Sequence, residues 1–198
     1  MSLEIGRKFV VFRTGEDVAQ DLKTARLPIL LGQGRAFGSG GHETTRSCLE
    51  EIEALPDMNN AAVLDLGSGT GILSIAAAKL GVGRVSALDP DKKAFDAASR
   101  NIHLNGVEST VNPKLGTLED LKGEKFDLIL ANLYGDVLLD LLDDLVDKLN
   151  PGGILLVSGI HYEYVFEIRQ GIIRRGLKLI KSRYLEEYIT LVFSLVPD

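Results

Sequence analysis

A lone cysteine, three histidines and a shortage of basic residues set the first limits on this chain. Cys48 has no second thiol to pair with, so an internal disulfide is excluded, which fits a reducing, cytoplasmic compartment. One thiol and three scattered imidazoles do not make a metal site. No apolar run is long enough to span a bilayer, and no basic segment followed by an apolar block marks a secretory signal, so no membrane partner is expected. Lys and Arg number 22 against 28 Asp and Glu, for a net charge of −6. That balance argues against a broad nucleic-acid surface and is compatible with a basic substrate such as a lysine-rich protein. The 198 residues, 45% apolar, suit one domain or one domain with a small attachment.

The stretch Val63–Ala78 organises the rest. A short apolar run ends near Asp65, glycines follow at every second position (Gly67, Gly69, Gly71), and then comes a small-residue helix. Strand, tight turn and helix let the backbone bend sharply and let a flat ligand approach without meeting a Cβ. The helix start also directs unpaired N–H groups at whatever lies over the turn. The next acidic residue at a strand end is Asp89, about 20 residues on, where a doubly wound sheet places a carboxylate on ribose hydroxyls. The spacing is G-x-G-x-G rather than the dinucleotide G-x-G-x-x-G, and no phosphate-cradling Gly-Lys-Ser/Thr follows. It resembles the first motif of class I S-adenosylmethionine (SAM) methyltransferases.

Along the chain, Ile5–Thr14 reads as a strand and half of a hairpin, Gly15–Thr24 as loop, and Leu27–Leu31 as a run that pairs with the first strand. Residues 1–31 are thus lead-in strands, and residues 32–198 form the main domain. Five of the ten residues Gly32–Gly41 are glycine, which rules out regular structure there. A helix over Arg46–Leu55, capped by Thr44 or Thr45, turns Cys48, Leu49, Ile52 and Leu55 to one face. Strands are expected at Ala62–Leu66, Arg84–Leu88, Thr110–Lys114, Phe126–Leu133 and Ile154–Ser158. The helices between them run to about Leu80, over Lys92–Asn105 and over Asp136–Leu149. Pro151-Gly152-Gly153 reads as a turn, and the acids Asp140, Asp143, Asp144 and Asp147 as a solvated face. A helix from Tyr164 to Gly176 leads into Leu177–Arg183 and Tyr188–Leu195, which must be antiparallel because their connection is so short. The expected fold class is α/β: a Rossmann-like, doubly wound, mostly parallel sheet with an antiparallel C-terminal hairpin. Gly67, Asp89 and Asn132 all fall at carboxyl ends of strands, where such sheets bind ligands.

Gln33–Thr45 resembles the P-G-x-A-F-G-T-G-x-H-x-T-T segment of the PrmA family of ribosomal-protein methyltransferases, with Gln33 and Glu43 in place of its prolines. Val63–Ala78 is similar to that family's glycine motif, Asp127–Leu133 to its D-V-V-V-A-N-I strand, Leu156–Ile160 to its L-x-L-S-G-I, and the Glu187–Phe193 ending also fits. The resemblance implies a class I methyltransferase using SAM, with Phe37, Gly38, Thr45, Gly67, Gly69, Gly71, Asp89 and Asn132 contacting the cofactor. It implies transfer of methyl groups to amino groups, lysine or N-terminal, of a ribosomal protein. Asp89 would take the ribose hydroxyls, Thr45 the amino-acid end, and Asn132 the place nearest the reacting centre. His42 is expected to shape its loop by hydrogen bonding. Nothing singles out a catalytic base. The family also carries an N-terminal substrate-binding domain, and the residues ahead of the lead-in strands are too few to form one. The expectation is therefore SAM binding with slow or redirected methylation of a protein amine. A methyltransferase for a small molecule or nucleic acid, and a SAM-binding subunit that needs another chain, remain the alternatives. Ala131-Asn132-Leu133-Tyr134 lacks the N-P-P-[FY] that would mark amide or exocyclic base nitrogens. The glycine-rich loop Gly34–Gly41 is expected to move and to close over ligand.

Overall fold

The computed structural model describes residues 2–13, 25–33 and 37–196. Three short strands come first, β1 (Leu3–Ile5), β2 (Phe9–Arg13) and β3 (Leu27–Leu31), followed by α1 (Glu43–Ala54). Alternation then sets in with β4 (Ala62–Leu66), α2 (Ile72–Lys79), β5 (Arg84–Asp89), α3 (Lys92–Leu104), β6 (Val111–Leu115) and β7 (Phe126–Asn132). It continues with α4 (Gly135–Asp140), α5 (Leu142–Asp147), β8 (Leu149–His161), α6 (Val165–Arg174), β9 (Leu177–Tyr184) and β10 (Tyr188–Leu195). The main sheet has the order β6-β5-β4-β7-β8-β10-β9. The first five of these strands are parallel, and β10 runs antiparallel to both β8 and β9.

Apolar residues alternate between the two faces of this sheet, as the pleat requires. Val63 and Leu128 join the core under α1, α2 and α3, while Leu64 and Ile129 join the core under α4, α5 and α6. The strands at the centre are buried on both faces, which is why β4 reads as an unbroken apolar run except for Asp65. The order reverses between β4 and β7: β5 and β6 lie to one side and β8 onward to the other. A crevice opens over the carboxyl ends at that point.

The lead-in strands form their own sheet. The strand expected over Ile5–Thr14 is interrupted: Ile5 ends β1, residues 6–8 form a turn and β2 begins at Phe9, so that stretch holds the bend of a hairpin and not one of its arms. Strand β3 pairs with β2 in parallel, Phe9 facing Leu27. Ile5, Phe9, Val11, Ile29 and Leu31 pack into the same core as Cys48, Leu49, Ile72 and Ile75, so the small sheet and the large one share an interior. The expected loop Gly15–Thr24 lies outside the described residues, as do 34–36 of the glycine-rich loop. Cys48 is fully buried, and burial pushes its thiol up to about 12.

Three further expectations need correction. Helix α1 begins at Glu43, and its cap is His42, whose imidazole accepts the Thr44 N–H, so both threonines lie inside the helix. The helix expected over Asp136–Leu149 is two short helices joined at Leu141, whose N–H reaches back only to the Leu138 carbonyl. The break lets Leu142 enter the space that the missing side chain of Gly171 leaves on α6, and it leaves Val137 exposed. Finally, Pro151-Gly152-Gly153 does not separate a helix from a strand. It is a bulge inside the long β8, where Gly152 takes φ +79° and the register slips between Phe126 and Leu128.

Candidate functional site

The crevice is a cleft of about 390 Å³, within the range of small-molecule sites. Its floor is the turn after β4. Gly67 and Ser68 both donate N–H bonds to the Leu88 carbonyl, which ties the turn to the end of β5. A Cβ on Gly67 would lie 2.4 Å from the Leu133 side chain, and one on Gly69 would lie 2.5 Å from the Phe37 carbonyl oxygen. Both residues have positive φ, +69° and +56°, so chain geometry and close approach each demand glycine.

Asp89 ends β5 and is 8% exposed. One carboxylate oxygen accepts the Gly69 N–H at 2.9 Å and the other accepts the Asp91 N–H at 2.9 Å. Each oxygen keeps a further lone pair, and the carboxylate is locked in orientation towards the cleft. A carboxylate so held suits a pair of vicinal hydroxyls. Below it, Asp65 is buried and receives the N–H and the hydroxyl of Ser74, at 3.0 and 2.6 Å. Burial pushes the Asp65 carboxyl up to about 6; the Ser74 bonds oppose that rise, and the Asp89 charge adds to it.

At the opposite end of the cleft stand Asn132, Leu133, Tyr134, Gly159 and Tyr188, with Phe37, His42 and Thr44 closing the side. Aromatic rings line this wall. His42 lies 5.3 Å from both Phe37 and Tyr188, and Tyr188 lies 4.2 Å from His161. Beyond His161 is a second, open groove of about 340 Å³ bordered by Glu163, Glu186 and Glu187. The Glu43 carboxylate accepts the backbone N–H groups of Glu186 and Glu187 and so fixes that turn.

Some polar atoms left over by the fold lie at the cleft or one residue behind its lining: Asn132 lines it, Thr45 follows the lining Thr44, and Ser68 stands between the lining Gly67 and Gly69. Among the described residues, four buried side-chain atoms have no hydrogen-bond partner, Thr45 Oγ1, Ser68 Oγ, Asn132 Oδ1 and Glu51 Oε1, and the last of these lies away from the cleft in an ion pair with Arg183. Buried polar groups are nearly always satisfied, and three orphans on the segments around one cleft mark where a polar ligand belongs.

Of the eight residues expected from the sequence, Phe37, Gly67, Gly69, Asp89 and Asn132 line the cleft together. Thr45 sits one residue behind the lining Thr44, buried at 1% exposure. Gly38 and Gly71 lie back from the wall, Gly38 against the Thr70 hydroxyl and Gly71 against Ala98. Sequence reading missed Asp91, Ala94, Tyr134, Gly159 and Tyr188 as cleft residues. Asp91 was within reach, because it stands two residues after Asp89 and opens α3 as its cap.

Comparison with known proteins bears on the family and the fold. The family profile for ribosomal protein L11 methyltransferase (PrmA) matches residues 2–195. The ribosomal protein L11 methyltransferase of Pelobacter propionicus is 38% identical over 96% of the chain, and that of Alkaliphilus oremlandii 35% identical over 96%. The chain covers 62% and 59% of those two proteins, so it spans about three fifths of the length of the relatives it matches. The crystal structure of the ribosomal protein L11 methylase from Lactobacillus delbrueckii subsp. bulgaricus is 32% identical, superposes with a TM-score of 0.87, and aligns over 98% of each chain.

Proposed function

Because this chain belongs to the ribosomal protein L11 methyltransferase (PrmA) family, we propose that it is a SAM-dependent methyltransferase acting on amino groups of a ribosomal protein of the L11 type. The observation that carries the reading is the set of orphaned polar atoms, Thr45 Oγ1, Ser68 Oγ and Asn132 Oδ1, around a cleft whose floor admits no Cβ. Residues 32–198 are the unit that binds and transfers, and the lead-in strands buttress it from the side.

The residues divide the work. Asp89 accepts the ribose hydroxyls with the lone pairs that Gly69 and Asp91 leave open. Gly67 and Gly69 bring backbone rather than side chain against the ligand. When bound, SAM supplies a methyl group carried on a positively charged sulfur, already a good leaving group. Asn132 Oδ1 accepts an N–H from the acceptor amine and aims its lone pair at that methyl carbon. Alignment of this kind contributes up to ~7–11 kcal/mol in favourable cases. The acceptor nitrogen would take the methyl group, the demethylated cofactor would be the leaving group, and the amine proton would pass to water. The half-buried aromatic wall lowers the amine's affinity for its proton by desolvation.

The groove beside the cleft supports a basic substrate. Among the described residues, Glu163, Glu186 and Glu187 have no cationic partner, and the groove shares the His161–Tyr188 pair with the cleft wall. A lysine-bearing segment crossing it would meet uncompensated carboxylates.

Two measurements test the proposal: calorimetry with SAM and its demethylated product, and intact-mass spectrometry of ribosomal protein L11 after incubation with the chain and SAM. Binding of both ligands with stepwise methyl increments on L11 is expected. Binding without any increment rejects the substrate and keeps the cofactor, and no binding rejects both.

A further inference from the structure

Thr70 stands inside the glycine turn but does not line the cleft. It is 8% exposed, and its polar atoms are engaged elsewhere. Its N–H donates to the Phe37 carbonyl at 2.9 Å, and its hydroxyl donates to the Gly38 carbonyl at 2.6 Å. Its own carbonyl accepts the Asn101 side-chain N–H at 2.8 Å, and the Asn101 side-chain oxygen, Oδ1, accepts the Gly32 N–H at 2.8 Å. Thr70 therefore fastens one flank of the glycine-rich loop directly, and through Asn101 it is joined to the other.

The glycines around it are shaped for this contact as much as for a ligand. A Cβ on Gly69 would stand 2.5 Å from the Phe37 oxygen, and a Cβ on Gly38 would stand 2.8 Å from the Thr70 hydroxyl. Either side chain would push the loop off the turn. What the fastening sets in place is Phe37, half exposed and on the cleft wall.

We propose that Thr70 is a positioning residue: by holding Phe37 and Gly38 on the glycine turn it sets how long the cleft retains its cofactor, without touching that cofactor. The inference rests on the SAM reading given above. It deepens that reading by moving part of the control of affinity from the groups in contact with the ligand to a hydroxyl behind them. The bond at stake is a buried hydroxyl-to-carbonyl hydrogen bond whose acceptor the threonine-to-valine change leaves unpaired.

The test compares Thr70→Val, which keeps the branched shape and the backbone N–H but loses the hydroxyl, with Thr70→Ser, which keeps the hydroxyl. Thr70→Ala replaces the valine variant if that variant lacks a cooperative melt. Three quantities are read: the SAM dissociation rate, the SAM dissociation constant, and hydrogen exchange over residues 37–41 in ligand-free protein. The expected result for Thr70→Val is dissociation about tenfold faster, the size of one buried hydrogen bond, with an unchanged association rate and faster exchange at 37–41. Thr70→Ser should restore both to within about threefold of the parent, a difference well inside one neutral hydrogen bond. Parental dissociation and exchange in Thr70→Val overturns the positioning role while leaving the cofactor reading intact. Equal losses in valine and serine variants, with exchange at 37–41 unchanged, also overturn it, because a generally weakened fold would behave that way. A parent chain that binds no SAM overturns the cofactor reading and this inference with it.

Discussion

The two ends of the cleft are built differently. At the Asp89 end the partners are local: the turn after β4 and the end of β5 are neighbours in sequence and in the sheet, and their hydrogen bonds are closed on one another. At the Asn132 end, residues from α1, β7, β8 and β10 meet, Tyr134 is 68% exposed, and the Asn132 oxygen has no partner. The first end is preorganised, with the Ser68 hydroxyl in its turn left without a partner. The second is assembled from distant segments and open. Preorganised donors and acceptors give affinity at little ordering cost, whereas an open polar end is where a partner's identity is decided. The comparison predicts that substitutions at the two ends fail in different kinetic constants.

The largest effect is expected at the open end. Asn132→Ala should lower kcat by about 10²-fold or more, the loss that follows when a reacting group is misplaced by an ångström, while the SAM dissociation constant stays within about threefold, less than one neutral hydrogen bond. Single-turnover rates and calorimetry on the same variant separate the two. If affinity for SAM falls as far as kcat does, Asn132 belongs to the cofactor end and the division is wrong. The next effect is expected at the closed end. Asp89→Ala should weaken SAM binding by ~1.5–3 kcal/mol, the range for hydrogen bonds to a charged group, and leave kcat at saturating cofactor little changed. Asp89→Asn, which keeps one acceptor, should fall between. Parental affinity in Asp89→Ala would remove the ribose assignment.

The same contrast explains what the sequence made legible. The parallel sheet, its switch point and the residues at its carboxyl ends were readable because each rests on a local pattern: an apolar run, a glycine turn, an acid at the next strand end. The antiparallel ending followed from the short link between the last two strands. What was missed depends on contacts between distant segments. Tyr188 and Gly159 reach the cleft only because β8 and β10 pair beside β7. The break at Leu141 follows from a fit between Leu142 and Gly171 on another helix, which no periodicity within Asp136–Leu149 encodes. The same holds for the cap of α1: His42 is an uncommon cap, and the threonines that follow it are the more usual choice. Their burial inside the helix is a tertiary outcome.

The smallest effect, and the one that probes the closed end from beneath, concerns Asp65. Its carboxyl is buried and pushed up from 3.8 to about 6, chiefly by burial. The folded chain therefore holds this proton more tightly than the unfolded chain does, so stability falls as pH rises from about 4 to about 6 and is flat above that. The full shift corresponds to at most about 3 kcal/mol. Asp65→Asn removes the charge and keeps an acceptor for the Ser74 N–H and hydroxyl, although a weaker one. The variant should be more stable than the parent by about 1–2 kcal/mol near pH 8, with the advantage fading towards pH 4. Urea unfolding of both proteins across that pH range provides the check. A difference that does not change with pH would mean that Asp65 is ionised at ordinary cost, and that the closed end stores no electrostatic strain. A difference that fades as expected, accompanied by tighter SAM binding in the variant, would show that the buried charge below Asp89 opposes binding at the preorganised end of the cleft.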